Sequence, residues 1–208
     1  MPARDYHEAL WEGVPEGLQP PRFAERLRFL LAHVPKGASV LDVGCGEGRF
    51  ASELARAGRV VVGIDVAHEP LRRARARDSA IDVRLVGAEG SWPLQDCTFD
   101  ALWAGEVIEH VADTAGWLSE ARRVLRSGGV IVLSTPAHGP LTRLALGLSA
   151  RGFESHFDPR SDHLRFYTRR GLLALLGEFG FEDVRTRALG GVPGARRVLL
   201  ACARRARF

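Results

Sequence analysis

The stretch Val40-Leu41-Asp42-Val43-Gly44-Cys45-Gly46-Glu47-Gly48 decides the fold. An apolar, β-branched run passes directly into a cluster of glycines and then into the helical pattern of Arg49–Ala57. In open α/β sheets ligands sit beyond the carboxyl ends of the strands, and glycine there lets backbone amides approach them closely. Downstream, short β-branched runs alternate with amphipathic stretches. Strands are expected at Ser39–Val43, Val60–Asp65, Asp82–Val86, Phe99–Ala104 and Val130–Ser134, and helices at Arg49–Ala57, Glu69–Arg77 and Thr114–Leu125, the last stopped by Gly128-Gly129. That alternation predicts a parallel sheet with crossover helices. A helix at Arg169–Phe179 and two strands near Glu182–Ala188 and Arg196–Ala203 are close enough in sequence to pair antiparallel, giving the α/β sheet an antiparallel edge.

Upstream, Phe23, Leu27, Leu30, Leu31 and Val34 have helical spacing, and Pro35-Lys36-Gly37 ends that helix. Residues Tyr6–Pro21 are rich in Gly and Pro and read as an arm, so the chain divides into an arm over 1–21 and one domain over 22–208. The segment from Pro136 to Arg165 is longer than a crossover requires and reads as a lid. At 208 residues the chain suits a single domain. Its N-terminus, MPARDYHEALWEG, carries charges where a leader would be apolar, and no apolar run is long enough to span a bilayer, so a cytoplasmic protein is expected. Cys45, Cys97 and Cys202 form no CxxC pair and read as reduced thiols. The net charge of +4 is spread through scattered arginines, with Arg204, Arg205 and Arg207 read as a solvated strand end, which argues against a nucleic-acid partner.

The glycine spacing selects among nucleotide ligands. A dinucleotide fingerprint needs G-x-G-x-x-G, but here the third glycine comes one residue early, at Gly48, and no G-K-[ST] follows. Asp42 beside the turn would repel a pyrophosphate yet attract the ammonium and sulfonium of S-adenosylmethionine. Asp65, 21 residues after Gly44 (65 − 44), stands where an α/β site accepts both ribose hydroxyls, and Val66 follows it. Ala88 and Glu89 are placed to meet the adenine amino group, with Trp92 and Leu94 on the ring face.

Taken in order, LDVGCGEG (41–48), VVGIDV (61–66), GAEGSWPLQDCTFDALWAGEVIEHV (87–111) and LRSGGVIVLSTP (125–136) resemble the class I S-adenosylmethionine-dependent methyltransferases. The resemblance implies a Rossmann-like, seven-stranded, mostly parallel sheet with the last strand inserted antiparallel. It also implies Gly44, Cys45 and Gly46 at the cofactor, and the backbone near Ala104, Gly105 and Glu106 at its methionine end. Methyl transfer to a hydroxyl needs the acceptor held against the methyl and its proton removed. After the fourth strand the chain reads Glu106-Val107-Ile108-Glu109-His110, which places two carboxylates and an imidazole at i, i+3 and i+4 on one helical face, with Val107 and Ile108 inward.

This E-x-x-E-H cluster resembles that of ubiquinone-biosynthesis O-methyltransferases and of small-RNA 3′-terminal 2′-O-methyltransferases, which implies a divalent metal (Mg, Mn or Zn) on Glu106, Glu109 and His110. His163, in Asp162-His163-Leu164-Arg165-Phe166-Tyr167-Thr168-Arg169, stands as a fourth ligand by the same resemblance, with one residue more between His and Phe than in the RNA branch. The alternative is that Glu106 positions the cofactor, Glu109 is solvated and His110 acts alone as base or hydrogen-bonds the acceptor. His138, His156 and His163, with Phe153, Phe157 and Phe166, suit a lid over a flat, partly apolar acceptor. Three functions follow: O-methylation of a small-molecule hydroxyl, with nitrogen as the other acceptor atom; methylation of an RNA end; and a non-catalytic cofactor-binding partner subunit. The intact cluster at 106–110 argues against the last.

Overall fold

A computed structural model describes residues 3–88 and 90–207. The chain forms α1 (Ala3–Gly13), α2 (Phe23–His33), β1 (Ser39–Val43), α3 (Arg49–Arg56), β2 (Val60–Asp65), α4 (His68–Arg77), β3 (Asp82–Leu85), β4 (Phe99–Gly105), α5 (Thr114–Val124), β5 (Leu125–Pro136), α6 (Pro140–Leu148), α7 (Ala150–His156), α8 (Arg169–Glu178), β6 (Phe181–Leu189) and β7 (Val198–Arg205). The seven strands lie in the order β3-β2-β1-β4-β5-β7-β6. Strands β1 to β5 pair parallel, and β7 is seated antiparallel between β5 and β6.

Alternation along the strands builds two cores, because successive strand side chains point to opposite faces. Leu41, Leu102 and Ile131 bury on one face, where Leu118 and Ala121 of α5 and Leu172 and Leu176 of α8 cover them. Val40, Ala101 and Val130 bury on the other, under Leu30 of α2, Leu54 of α3 and Leu71 of α4. Strand order reverses between β1 and β4, each parallel to the other. A crevice opens at such a switch point, beyond the carboxyl ends of the strands.

Three local expectations are corrected. The arm begins as a helix, because the breakers that suggested an arm, Gly13, Pro15, Gly17, Pro20 and Pro21, all fall at or after its last residue. Gly128-Gly129 do not stop α5: that helix ends at Val124 and β5 begins at the next residue. The glycines instead form a bulge, with Phe99 opposite Leu125 but Ala101 opposite Val130. Gly128 takes φ +74° there, and a Cβ on Gly129 would stand 2.8 Å from the Arg126 carbonyl oxygen. Arg205 is not a solvated strand end, since its guanidinium donates to the Leu125 carbonyl.

The 136–165 segment carries α6 and α7, neither of which buries a residue. Its far end is fastened. Leu164 and Arg165 amides donate to the Glu109 carbonyl at 2.8 and 3.0 Å, and Tyr167 Oη donates to the Ile108 carbonyl at 3.3 Å. Amide hydrogen exchange is therefore expected to be fast through α6 and α7 and slow at Leu164 and Arg165. Uniform protection across 140–165 would make the whole segment part of the rigid scaffold.

Candidate active site

At the switch point lies a cavity of about 790 Å³ lined by Val43, Gly44, Ile64, Asp65, Val66, Val86, Gly87, Ala88, Trp92, Glu106, Val107, His110 and Trp117, among others. Gly44, Gly46 and Gly48 take φ of +63°, +53° and +74°, a left-handed run that only glycine enters without strain. The run turns the chain sharply from β1 into α3, whose N-cap is Gly48. Asp65 ends β2 and is preorganised, accepting from the Gly46 amide at 2.9 Å and the Ala67 amide at 3.2 Å. Those bonds leave lone pairs on the carboxylate for ligand hydroxyls.

Asp42 sits one layer behind. It is 1% exposed, is absent from the cavity wall, and its Oδ2 has no hydrogen-bond partner. Burial, with Asp65 nearby, raises its carboxyl to about 8, so the charge expected to face a cation is largely neutralised at neutral pH. Cys45, Gly46 and Gly105 also lie outside the wall. Cys45 is buried under the turn, and Gly105 leaves room for Arg26, whose Nη2 lies 2.7 Å from where a Cβ would stand. Trp92 lines the cavity and meets Trp117 edge-on at 5.9 Å, while Leu94 packs against the core instead. Glu89 lies outside the described residues.

The acidic turn differs from the expected helical face. Only Ile108–His110 is helical, as one 3-10 turn, and Glu106 precedes it with φ +59°. Glu106 therefore leaves the Glu109–His110 face while still lining the cavity: its Oε1 accepts from Ser134 Oγ at 2.7 Å and stands 3.7 Å from Arg26 Nη2. Ile108 is buried as expected, but Val107 faces the cavity. Glu109 is not solvated. It is 0% exposed, neither carboxylate oxygen has a hydrogen-bond partner, and burial beside Glu106 raises its carboxyl to about 8.

Glu109, His110 and His163 each bring one ligand atom to within 4.8 Å of the others; Glu106 stands outside this group. His110 Nδ1 donates to the Asp162 carbonyl at 2.9 Å, with Asp162 Oδ2 at 3.3 Å. That bond places the proton on Nδ1 and leaves Nε2 as the basic nitrogen. His138 and His156 form a separate pair, Nε2 to Nε2 at 2.9 Å, packed with Phe166, Phe157 and Phe153.

Two contributors escaped sequence reading. Tyr6, His7, Leu10, Trp11 and Val14 of α1 and its following turn form a wall of the cavity. Arg73 holds them in place, donating to the Trp11 and Val14 carbonyls at 3.0 and 2.7 Å. The other is Arg26, 1% exposed on α2, over the rings of Phe50 and Trp103 at 5.1 and 5.7 Å, with Nε unpartnered. Its interruption of the Phe23-to-Val34 apolar face, between Phe23 and Leu27, was the available signal.

The two buried carboxyls dictate a pH response. Asp42 and Glu109 ordinarily titrate at 3.8 and 4.5 but are held at about 8 when folded. Between these values the folded chain keeps protons that the unfolded chain has lost, so stability falls as pH rises through that window. Asp42→Asn and Glu109→Gln should flatten the decline, as read by urea unfolding across pH in ligand-free protein. Stability rising over the same range would contradict it.

Sheet order and site architecture together are those of the class I S-adenosylmethionine-dependent methyltransferases. A family profile described as a methyltransferase domain matches residues 16–186, and this chain belongs to that family. The ubiquinone biosynthesis O-methyltransferase of Dinoroseobacter shibae is 34% identical over 155 residues, covering 72% of this chain and 62% of that protein. Its counterpart from Cereibacter sphaeroides KD131 is 33% identical over 168 residues, covering 77% and 67%. This chain thus spans about three fifths of the first of these. An S-adenosylmethionine-dependent methyltransferase structure from Mesorhizobium loti superposes with TM-score 0.68 at 22% identity, covering 94% of this chain and all of that one. The geranyl diphosphate C-methyltransferase of Streptomyces coelicolor superposes at 0.71 with 18% identity, covering 99% and 100%. At these identities the structures establish the fold.

Proposed function

We propose that the protein transfers the methyl group of S-adenosylmethionine to a hydroxyl oxygen on a small acceptor, using a divalent cation held by Glu109, His110 and His163. The cavity suits the cofactor. Asp65 presents acceptors to ribose hydroxyls, Ala88 and Trp92 offer an adenine-sized apolar wall, and Gly44 opens the floor. Arg26 is a buried guanidinium beside Gly105 whose nearest carboxylate, Glu106, stands at 3.7 Å and is half-buried at the cavity wall, and it is assigned the methionine carboxylate. S-adenosylmethionine supplies an electrophilic methyl on a sulfonium.

One observation carries the cation: the fully buried Glu109 carboxylate, both oxygens unpartnered, beside two imidazoles. A carboxylate is left so only where a cation or a proton compensates it. One carboxylate and two imidazoles suit Zn, Mn or Mg, and a bound dication acidifies a neighbouring hydroxyl. Within this arrangement His110 is oriented by Asp162, and the 161–165 backbone keeps His163 near it. The Asp162 contact also favours a second reading, in which His110 Nε2 alone takes the acceptor proton.

The relatives' name, ubiquinone biosynthesis O-methyltransferase, supports oxygen as the acceptor atom. Melting curves should rise with S-adenosylmethionine or S-adenosylhomocysteine and not with NAD or ATP, through linkage to the native state. Equal shifts with NAD would refute the cofactor assignment. Metal content by mass spectrometry, with activity after exhaustive chelation, separates the two readings of His110: full activity without metal leaves it as the sole base.

A further inference from the structure

Helix α4 begins without a cap of its own. The first amides of any helix have no partner within it, and Ala67, which precedes α4, has no side-chain acceptor to offer them. Glu8 of α1, 60 residues away in sequence, takes that part: its Oε2 accepts from the Glu69 amide at 3.0 Å and its Oε1 accepts from the His68 amide. A carboxylate is the favourable partner at the positive end of a helix.

The turn capped in this way is the one that carries Asp65. The Asp65 Oδ1 accepts from the Ala67 amide at 3.2 Å, so three successive amides, those of Ala67, His68 and Glu69, are shared between Asp65 and Glu8. Glu8 does not line the cavity, whereas its α1 neighbours Tyr6, His7, Leu10 and Trp11 do. Residues 6–13 of α1 include no buried side chain. Apolar packing therefore holds α1 weakly, and its polar bonds decide whether it stays docked. At its other end the same segment reaches the glycine turn: the Gly17 amide donates to Glu47 Oε2 at 3.0 Å, and a Cβ on Gly46 would stand 2.9 Å from the Trp11 ring.

We infer, on the reading that Asp65 holds the ribose, that Glu8 is a positioning residue of the cofactor site. It fixes the first turn of α4, and through the Ala67 amide the carboxylate of Asp65, and it couples the docking of α1 to occupancy of the ribose subsite. Coupling of this kind is reciprocal, so bound cofactor holds α1 down in turn.

The test is a double-mutant cycle in the full chain, with E8Q, D65A and the double variant titrated with S-adenosylhomocysteine by calorimetry. Glutamine keeps the length of the side chain but replaces one acceptor oxygen with a donor and removes the charge. E8Q should weaken the ligand about three- to tenfold, the scale of a lost helix cap. In the D65A background it should add less than about twofold, because both residues act on one turn. Hydrogen exchange at Ala67, His68 and Glu69 should be faster in ligand-free E8Q than in the parent, and S-adenosylhomocysteine should slow exchange through α1 of the parent. A cap that serves the fold alone would lower the melting temperature of ligand-free E8Q and leave affinity unchanged, and that result overturns the proposal. So do losses that simply add in the double variant. Unchanged affinity in E8Q beside a clear loss in D65A refutes Glu8 alone. Unchanged affinity in D65A removes the ribose assignment and the role of Glu8 with it.

Discussion

Glu109→Gln is expected to reduce turnover roughly 10²- to 10³-fold, the usual effect of removing one electrostatic element of an active site, while cofactor affinity stays near that of the parent. The argument rests on burial. A carboxylate with 0% exposure and no hydrogen-bond partner on either oxygen destabilises the fold unless something compensates its charge. Glutamine keeps the volume and removes the anion, so the ligand-free variant should gain stability at pH 8 while losing the cation. His110→Ala and His163→Ala should fail comparably, because all three would hold one ion. Cation affinity should rise with pH up to about 8 as Glu109 gives up its proton. If Glu109→Gln keeps full turnover while His110→Ala does not, His110 acts as a lone base and the cation reading fails.

Arg26→Met should weaken S-adenosylhomocysteine by about 2–5 kcal/mol, the range for truncating one partner of a buried charge pair. Affinity for 5′-methylthioadenosine, which lacks the carboxylate, should be nearly unchanged. Methionine preserves most of the volume under Phe50 and Trp103, so the apolar contacts made by the side chain largely survive. Asp65→Ala should do the reverse, weakening both ligands by about 1.5–3 kcal/mol because both carry the ribose. Calorimetry on the four variant–ligand pairs checks this. Equal losses for both ligands in Arg26→Met would mean that Arg26 supports the turn without meeting the carboxylate.

Local pattern determined the strand–turn–helix units of this protein. Apolar runs such as Val40–Val43 and Val60–Asp65, each followed by a helical period, define parallel strands whatever their surroundings, because burial on both faces demands continuous apolar side chains. For the same reason Gly44 and Asp65 were legible as cavity residues: each stands at the end of a strand, where the chain itself sets position. What sequence spacing misplaced depended on contacts between distant segments. Glu106 and Glu109 are three residues apart, but a positive φ at Glu106 turns it toward Ser134 and Arg26. Glu109 meets His163 only because the Leu164 and Arg165 amides donate to the Glu109 carbonyl and the Arg165 guanidinium donates to the Ala112 carbonyl. Asp42 and Asp65 look alike at strand ends, yet one is sealed behind the turn and the other reaches the cavity. Tertiary structure alone decided these, along with the folding of α1 over the cavity. Dihedral reversal, burial and long-range hydrogen bonding depend on neighbours far along the chain, whereas strand and helix periodicity are written locally.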